Sequence, residues 1–408
     1  MKHNVILLAT ILILTSCSSK QEPVIKALKD DNNCVVLPLN SLDDIVPVQM
    51  DSLYEDLFYI QPEVTENSLI GEYSKIIIKD SMLFIMDKGK SNQAIFVFDM
   101  KGKYLFSINK RGNGPGEYVS IGDFYVDEKT KTIGVLDHSQ ILRYTYDGTF
   151  LGKINLQSHY ILNIASVDSL IYTYGYSQCP TKRCYSFKIF DLSGNLLYED
   201  LPERKDLISF HLTGFKGNNL FLDNNNTVYY NSIYNDTIYE VNIDRITPRY
   251  IADFGKFKLS DDIYSGLVEK GDSDVDETLS FISSLNYVLF GFRDIFFTKD
   301  YCSYFFATGK RNYTAFYSKK TGNVKITSSI QTIGIIPIQS VSASDNNYFY
   351  AQIYTDSRIM VKEQYEKAGV LDPTIEFPIE MRKYYDDFLK NAKEEDNTSI
   401  VGFKLRDF

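Results

Sequence analysis

The chain repeats itself, and the repeat limits what it can become. Residues 76–109 read IIIKDSMLFIMDKGKSNQAIFVFDMKGKYLFSIN, and residues 121–155 read IGDFYVDEKTKTIGVLDHSQILRYTYDGTFLGKIN. Residues 164–200 read IASVDSLIYTYGYSQCPTKRCYSFKIFDLSGNLLYED. Each unit holds four short apolar or aromatic runs separated by turn residues. An aspartate and then a glycine mark the third turn: Asp99 and Gly102, Asp147 and Gly148, Asp191 and Gly194. These glycines recur every 46 residues. A period in the forties with four strands per unit is the pattern of a β-propeller blade. One four-stranded sheet cannot bury both its faces, whereas blades stacked about an axis cover one another. The Asp–Gly pairs suit tight turns, where glycine adopts positive φ cheaply.

The later units follow the pattern more loosely. Residues 219–254 divide into NLFLD, TVYYNSIY, TIYEVNI and PRYIADF. Residues 284–330 divide into SLNYVLFGFRDIFFT, YCSYFFAT, YTAFYSKKTG and NVKITSSI. A sixth unit begins at PIQSVSASDNNYFYAQIY and is interrupted by residues 358–393, which read as helical, with Pro378 at a helix start. TSIVGFKLRD, 398–407, returns as a strand. An early segment, CVVLPL or DLFYIQPE, completes the last blade and leaves no open seam. The expectation is an all-β, six-bladed β-propeller with four-stranded blades, closed by N- and C-terminal strands and carrying a small helical insertion near the C-terminus. Five or seven blades also fit the looser spacing. Composition agrees: 31 Tyr and 27 Phe among 408 residues favour half-buried pleated surfaces.

The first residues read MKHNVILLATILILTSCSSKQEP. Lys2 precedes an apolar stretch, Val5 to Leu14, that is too short to span a bilayer and fits the core of an export signal. It ends in Leu14-Thr15-Ser16-Cys17, which resembles the lipobox of bacterial lipoproteins, where the cysteine is acylated and becomes the mature N-terminus. The expected organisation is a signal peptide over 1–16, a tether over 17–33 and a propeller over 34–408, held at the membrane through lipid on Cys17. The net charge of −10 leaves no electrostatic reason to bind nucleic acid. Beyond the inner membrane disulfides are allowed. Cys179 and Cys184 close a small loop between two strand-like runs and are expected to pair, with metal binding the weaker alternative. Cys34 and Cys302 pair or stay free.

RGNGPGEYVSIGDFYVDEKTKTIGVLDHSQILRYTYDGTFLGKI resembles one NHL-type propeller repeat. The whole chain is similar to the six-bladed β-propeller lipoproteins of Gram-negative gut-type bacteria. The matching stretches are FYIQPEVTENSLIGEYSKI, RGNGPGEY, DTIYEV with PRYIADFGK, and EEDNTSIVGFKL. That resemblance implies a fold and an outer-membrane, periplasmic or surface-facing address. It implies no activity.

RGNGPGEY falls between the outermost strand of one blade and the innermost strand of the next. Its glycines serve a sharp crossing from rim to axis, and with no GK[ST] and no following helix it is not a P-loop. Such crossings share a face with the loops joining second and third strands. Arg111, Asn113 and Glu117 are therefore expected beside His138 and Gln140, beside Lys182 and Arg183 of the Cys179–Cys184 loop, and beside residues 87–93. Loops converging in this way form a surface for a glycan, a peptide or an acidic small molecule.

Catalytic patterns are weak. His138, His159 and His211 fall in different units at inequivalent positions, so a three-histidine metal site is not expected. Asp272, Asp274 and Asp276 resemble the start of a calcium loop, but Glu277 stands where glycine is needed and Ser283 where glutamate is needed. No GxSxG or HExxH is present. The expectation is a non-enzymatic binding or interaction module with no cofactor and no metal. The alternatives are a propeller hydrolase or lyase with a central metal, and a structural subunit of an outer-membrane uptake or sensing complex.

Overall fold

The computed structural model describes residues 25–408 apart from 31–32, 46, 50–52, 90–91, 158–159, 176–184, 203–217, 233–234, 264, 266–279, 281–283, 332–336, 339 and 373. Six four-stranded antiparallel blades surround one axis. Blade 1 runs from axis to rim as Lys75–Lys79, Met82–Asp87, Ala94–Asp99 and Tyr104–Ile108. Blade 2 is Phe124–Asp127, Thr132–Asp137, Gln140–Thr145 and Phe150–Asn155. Blade 3 is Ile161–Val167, Leu170–Gly175, Tyr185–Asp191 and Leu196–Pro202. Blade 4 is Leu220–Leu222, Val228–Asn231, Thr237–Asn242 and Arg245–Asp253. Blade 5 is Val288–Phe297, Tyr301–Thr308, Asn312–Ser318 and Asn323–Thr327. Blade 6 takes Ala343–Ser344, Phe349–Ile353 and Ser399–Leu405 from the C-terminal side, and its rim strand Tyr54–Ile60 from the N-terminal side. The innermost strands touch in cyclic order, and blade 6 returns to blade 1.

Burial explains the strand sequences. The middle strands of blade 1, MLFIMD and AIFVFD, are apolar nearly throughout because neighbouring blades cover both of their faces. The rim strand of blade 2, FLGKIN, is mostly exposed or half-buried, and its sequence is correspondingly mixed. Among the described residues the core divides into six apolar clusters, one at each blade–blade interface.

Closure uses the second of the two early segments. Tyr54–Ile60 pairs with Ser399–Leu405, from Ile60 opposite Ile400 to Tyr54 opposite Leu405. Val35–Pro38, from CVVLPL, instead runs parallel to the rim strand of blade 4, and Ile25–Lys26 pairs with the rim strand of blade 5. These added strands cover edges that would otherwise offer open backbone groups. The described part of the segment expected as a tether therefore lies in the sheets. Cys34 and Cys302 are both buried free thiols.

The helical insertion, Thr355–Lys367 and Ile379–Tyr384 with a wider turn over Tyr385–Leu389, sits between the second and third strands of blade 6. Val361, Tyr365, Met381, Phe388 and Leu389 pack into the blade 5–blade 6 core. Buried Arg358 fastens the insertion to the seam. It donates to the Phe388 carbonyl at 2.7 and 3.0 Å, pairs with Asp396 at 3.2 Å, and reaches Ser399 and Gln61.

The periodic glycines have two duties. Gly102, Gly148 and Gly194 have φ of +85°, +80° and +85°. Two of them also sit under the preceding blade. A Cβ on Gly102 would lie 2.1 Å from the Gln61 carbonyl oxygen, and one on Gly194 would lie 2.2 Å from that of Asn155. At Gly148 the nearest atom would be 3.6 Å away.

Candidate functional site

Antiparallel order sends two classes of connection to one side of the ring: those between blades, and those joining second to third strands. The other side carries the remaining turns, which are short. Examples are 80–81 and 168–169 between first and second strands, and 100–103 and 192–195 between third and fourth. The loop-bearing side carries the crossings 61–74 and 109–123, the described parts of the segment 254–287, and the helical insertion.

The central channel does not supply a roomy site. Its cavity is about 110 Å3 and is walled mainly by apolar residues of the six inner strands, among them Ile77, Phe124, Ile164, Leu220 and Phe296. Small-molecule sites generally begin near about 300 Å3. At the loop-side end of the inner strands the blades are stapled by polar contacts. The Lys75 ammonium of blade 1 donates to Asp123 of blade 2 at 2.8 Å and to the Phe124 carbonyl at 2.9 Å. The other oxygen of Asp123 accepts Ile164 N–H of blade 3 at 2.9 Å, and Asn163 accepts Asn219 N–H of blade 4 at 3.2 Å. Asp294 is half-buried on the inner strand of blade 5, and loss of hydration, only partly offset by the neighbouring Arg293, raises its pKa to about 6.

RGNGPGEY is a self-filled loop. Arg111 bridges to Tyr118, and Gly112 N–H donates to the Tyr118 carbonyl at 3.0 Å. The Glu117 carboxylate folds back and accepts Gly114 N–H at 2.8 Å. A Cβ on Gly112 would meet that carboxylate at 2.0 Å, so the loop closes around its own acid. Gly116, at φ +75°, lies against the Phe150 ring, where a Cβ would approach to 2.8 Å. Tyr118 is fully buried, and its hydroxyl lies 2.7 Å from the Gln93 carbonyl and 3.0 Å from that of Ile108. The glycine-rich run is thus a built connector whose acid is already engaged.

Asp137 organises the next layer. Its buried carboxylate accepts the N–H groups of Val119 and Ser120 at 3.1 and 3.3 Å, bonds His138 Nδ1 at 2.7 Å and accepts from Gln140 at 3.2 Å. Burial alone would raise its pKa, but these hydrogen bonds prevail and hold the carboxyl below its ordinary value. Asp87 does the same in blade 1, accepting Gly71 N–H at 2.7 Å and Gly89 N–H at 2.8 Å. An aspartate closing the second strand is therefore a clamp on the incoming crossing.

Of the expected binding-face residues, Arg111, Asn113, Glu117 and His138 are exposed and Gln140 is half-buried. Asp137 joins His138 and Gln140 to the crossing that carries the other three. Lys182, Arg183, Cys179, Cys184 and Cys17 lie outside the described residues, as do His159, His211, Asp272, Asp274 and Asp276. Among the described residues no group of three or more His, Cys, Asp or Glu side chains is placed to hold a metal. Composition and periodicity missed Asp123 and Asp294. The strand-terminal aspartate of the repeat was the available signal for Asp137.

Fold and face together define a six-bladed β-propeller with one loop-bearing side and a narrow, apolar axis. The chain belongs to the family described as a domain of unknown function, DUF4934, whose model matches residues 34–404. Its fold is similar to the crystal structure of a Bacteroides fragilis protein named "Putative exported protein", at 18% identity and a TM-score of 0.71, covering 91% of this chain and all of that one. It is also similar to a member of the DUF4221 family from Bacteroides vulgatus, at 11% identity and a TM-score of 0.53, covering 87% of this chain and 97% of that one. Comparison with curated proteins returned no match.

Proposed function

We propose that the protein is a lipid-anchored propeller of the outer membrane that binds a glycan, a peptide or a protein partner on its loop-bearing face and does not transform it. The observation that carries this reading is the asymmetry of the ring. Crossings, the helical insertion and the exposed side chains of Arg111, Asn113 and His138 gather on one side, over an axis too small for a substrate. Propeller ligands engage where loops from several blades converge on a rigid scaffold. The Leu14-Thr15-Ser16-Cys17 pattern supports the anchor, and the name of the Bacteroides fragilis relative agrees with export.

Two measurements test it. Metabolic labelling with an alkyne fatty acid should mark the full chain and not the Cys17→Ser variant, with the labelled protein in the outer-membrane fraction. Purified full-length protein should bind members of a glycan or peptide array, or retain a membrane protein on co-purification. Binding should weaken at least tenfold when Arg111 and His138 are both replaced by Ala. An unlabelled chain sinks the anchor, and absence of any ligand or partner sinks the binding role.

A further inference from the structure

A second concavity lies where the 61–74 crossing passes over the outer strands of blade 1. Its volume is about 360 Å3, within the range of small-molecule sites. Its walls come from two inter-blade crossings and from Asn92, between the second and third strands of blade 1, all on the loop-bearing side.

The lining is polar but nearly without free charge. Asn67, Asn92 and Asn109 present three amides. The side chains of Asn67 and Asn109 make no hydrogen bond among the described residues, and Asn92 has only a long contact, 3.4 Å, to the Leu69 carbonyl. Tyr104 and Ser107 present a hydroxyl pair 3.0 Å apart. Lys110 borders the cavity, but its ammonium is spent on the Gly148 carbonyl at 2.9 Å and lies over the Tyr144 ring.

From these groups we infer that the groove is a saccharide subsite that takes a neutral mono- or disaccharide unit. The inference rests on the proposed binding role and names a ligand class and a place for it. A sugar hydroxyl both donates and accepts, and a side-chain amide offers both functions from one planar group. Unengaged amides around a wet concavity match several hydroxyls at once. The half-buried Tyr104 ring and the exposed Leu69 side chain offer apolar surface for the C–H face of a pyranose. An anionic ligand finds no free cation there, and Glu66 on the rim opposes it.

The rigidity of the groove favours binding over mere solvation. Glu63 accepts Tyr104 N–H at 3.0 Å, fixing one wall to the floor. Buried Asn397 donates to the Glu63 and Ser68 carbonyls at 3.1 and 2.8 Å and accepts Ile70 N–H at 2.9 Å, fixing the crossing to blade 6. Asn67 thus stands on a crossing that is tied to both blade 1 and blade 6.

The test is saturation-transfer NMR on the full-length protein with glucose, galactose, mannose, N-acetylglucosamine, xylose, cellobiose, maltose and xylobiose, with galacturonic acid as the charged control. At least one neutral sugar should show transfer at millimolar concentration, and galacturonic acid should not. The Asn67→Ala, Asn109→Ala double variant should weaken that sugar at least tenfold. Both side chains are exposed and make no hydrogen bond among the described residues, so its melting temperature should match the wild type. Lys129→Ala, an exposed change on the opposite side of the ring, should leave the sugar signal unchanged. No transfer from any neutral sugar, stronger transfer from galacturonic acid, or a sugar signal that survives the Asn67/Asn109 variant and is lost when Arg111 and His138 are both replaced by Ala would overturn the assignment. The last outcome, or a peptide ligand alone on the array, would leave the broader binding role standing.

Discussion

The turn glycines offer a controlled experiment built into the repeat. Alanine at Gly102, Gly148 or Gly194 meets the same backbone problem, a φ near +80°, which costs an L-residue about 1–2 kcal/mol. The surroundings differ. At Gly148 the new methyl would find its nearest atom at 3.6 Å, an ordinary contact, so Gly148→Ala should cost about 1–2 kcal/mol and no more. At Gly102 and Gly194 it would be driven to 2.1 and 2.2 Å from a carbonyl oxygen of the preceding blade. Neither partner is a flexible side-chain tip, so a blade edge must shift, adding about 1–3 kcal/mol of overpacking. The expected order is Gly148→Ala mildly destabilised, then Gly102→Ala and Gly194→Ala at about 3–4 kcal/mol. Urea unfolding followed by tyrosine fluorescence and far-UV circular dichroism reads the difference. With an m-value of about 3 kcal/mol/M, the two severe variants should lose about 1 M in midpoint and Gly148→Ala about half that. Three equal shifts would show that φ alone sets the requirement and that the blades do not depend on this close approach.

Two further outcomes follow from charges near the axis. Asp123→Ala removes the partner of a largely buried ammonium and strands Ile164 N–H, and should cost about 2–4 kcal/mol in the same urea assay; a cycle with Lys75→Met should return a coupling above about 1 kcal/mol, and additivity would refute the staple. Asp294→Asn should stabilise the protein at pH 7: the folded-state pKa of about 6 lies above the unfolded value, so ionisation opposes folding fully above pH 6 and the penalty vanishes as pH falls from 6 towards 4. Two units correspond to about 3 kcal/mol, trimmed to about 1–2 kcal/mol because the side chain is partly open to solvent, and wild type and variant should converge in stability near pH 4. A pH-independent gap between them would refute this account.

The repeat was legible because its period is enforced by physics at every blade. Asp99 and Asp191 each accept two backbone N–H groups of their own turn, Thr145 stands at the equivalent place in blade 2 with Asp147 beside it, and the glycine that follows supplies positive φ, so the glycine recurs at fixed spacing while the acid shifts within the turn. In blades 4 to 6 the observed strands overlap the cuts made at apolar runs, but the count of six rests there on the family resemblance more than on spacing. The choice between CVVLPL and DLFYIQPE was not legible, since both are short apolar strands and only pairing partners far away in sequence separate them. The edge strands at Ile25–Lys26 and Val35–Pro38 were hidden for the same reason. At the candidate site, sequence located the crossing and the exposed Arg111, Asn113 and His138, but not the direction in which Glu117 turns. Nor could it find the groove, whose Asn67, Asn92 and Asn109 come from three connections and share no local pattern.

The strand-terminal aspartates change how the loop-bearing face should be read. A buried carboxylate beside a histidine, as in Asp137 and His138, invites a catalytic interpretation. Here the same carboxylate also accepts two backbone N–H groups of the crossing, and Asp87 repeats the arrangement in blade 1 without any histidine. A feature that recurs where the histidine does not is explained by the loop, not by the histidine. The consequence for binding is favourable. Crossings clamped by buried acids lose little conformational freedom when a ligand arrives, so side chains standing on them begin near their bound positions. Specificity then resides in the few polar groups that the clamps leave unengaged, and in the described part of this face those are concentrated in the exposed tips of the 109–123 crossing and in the amides of the blade 1 groove.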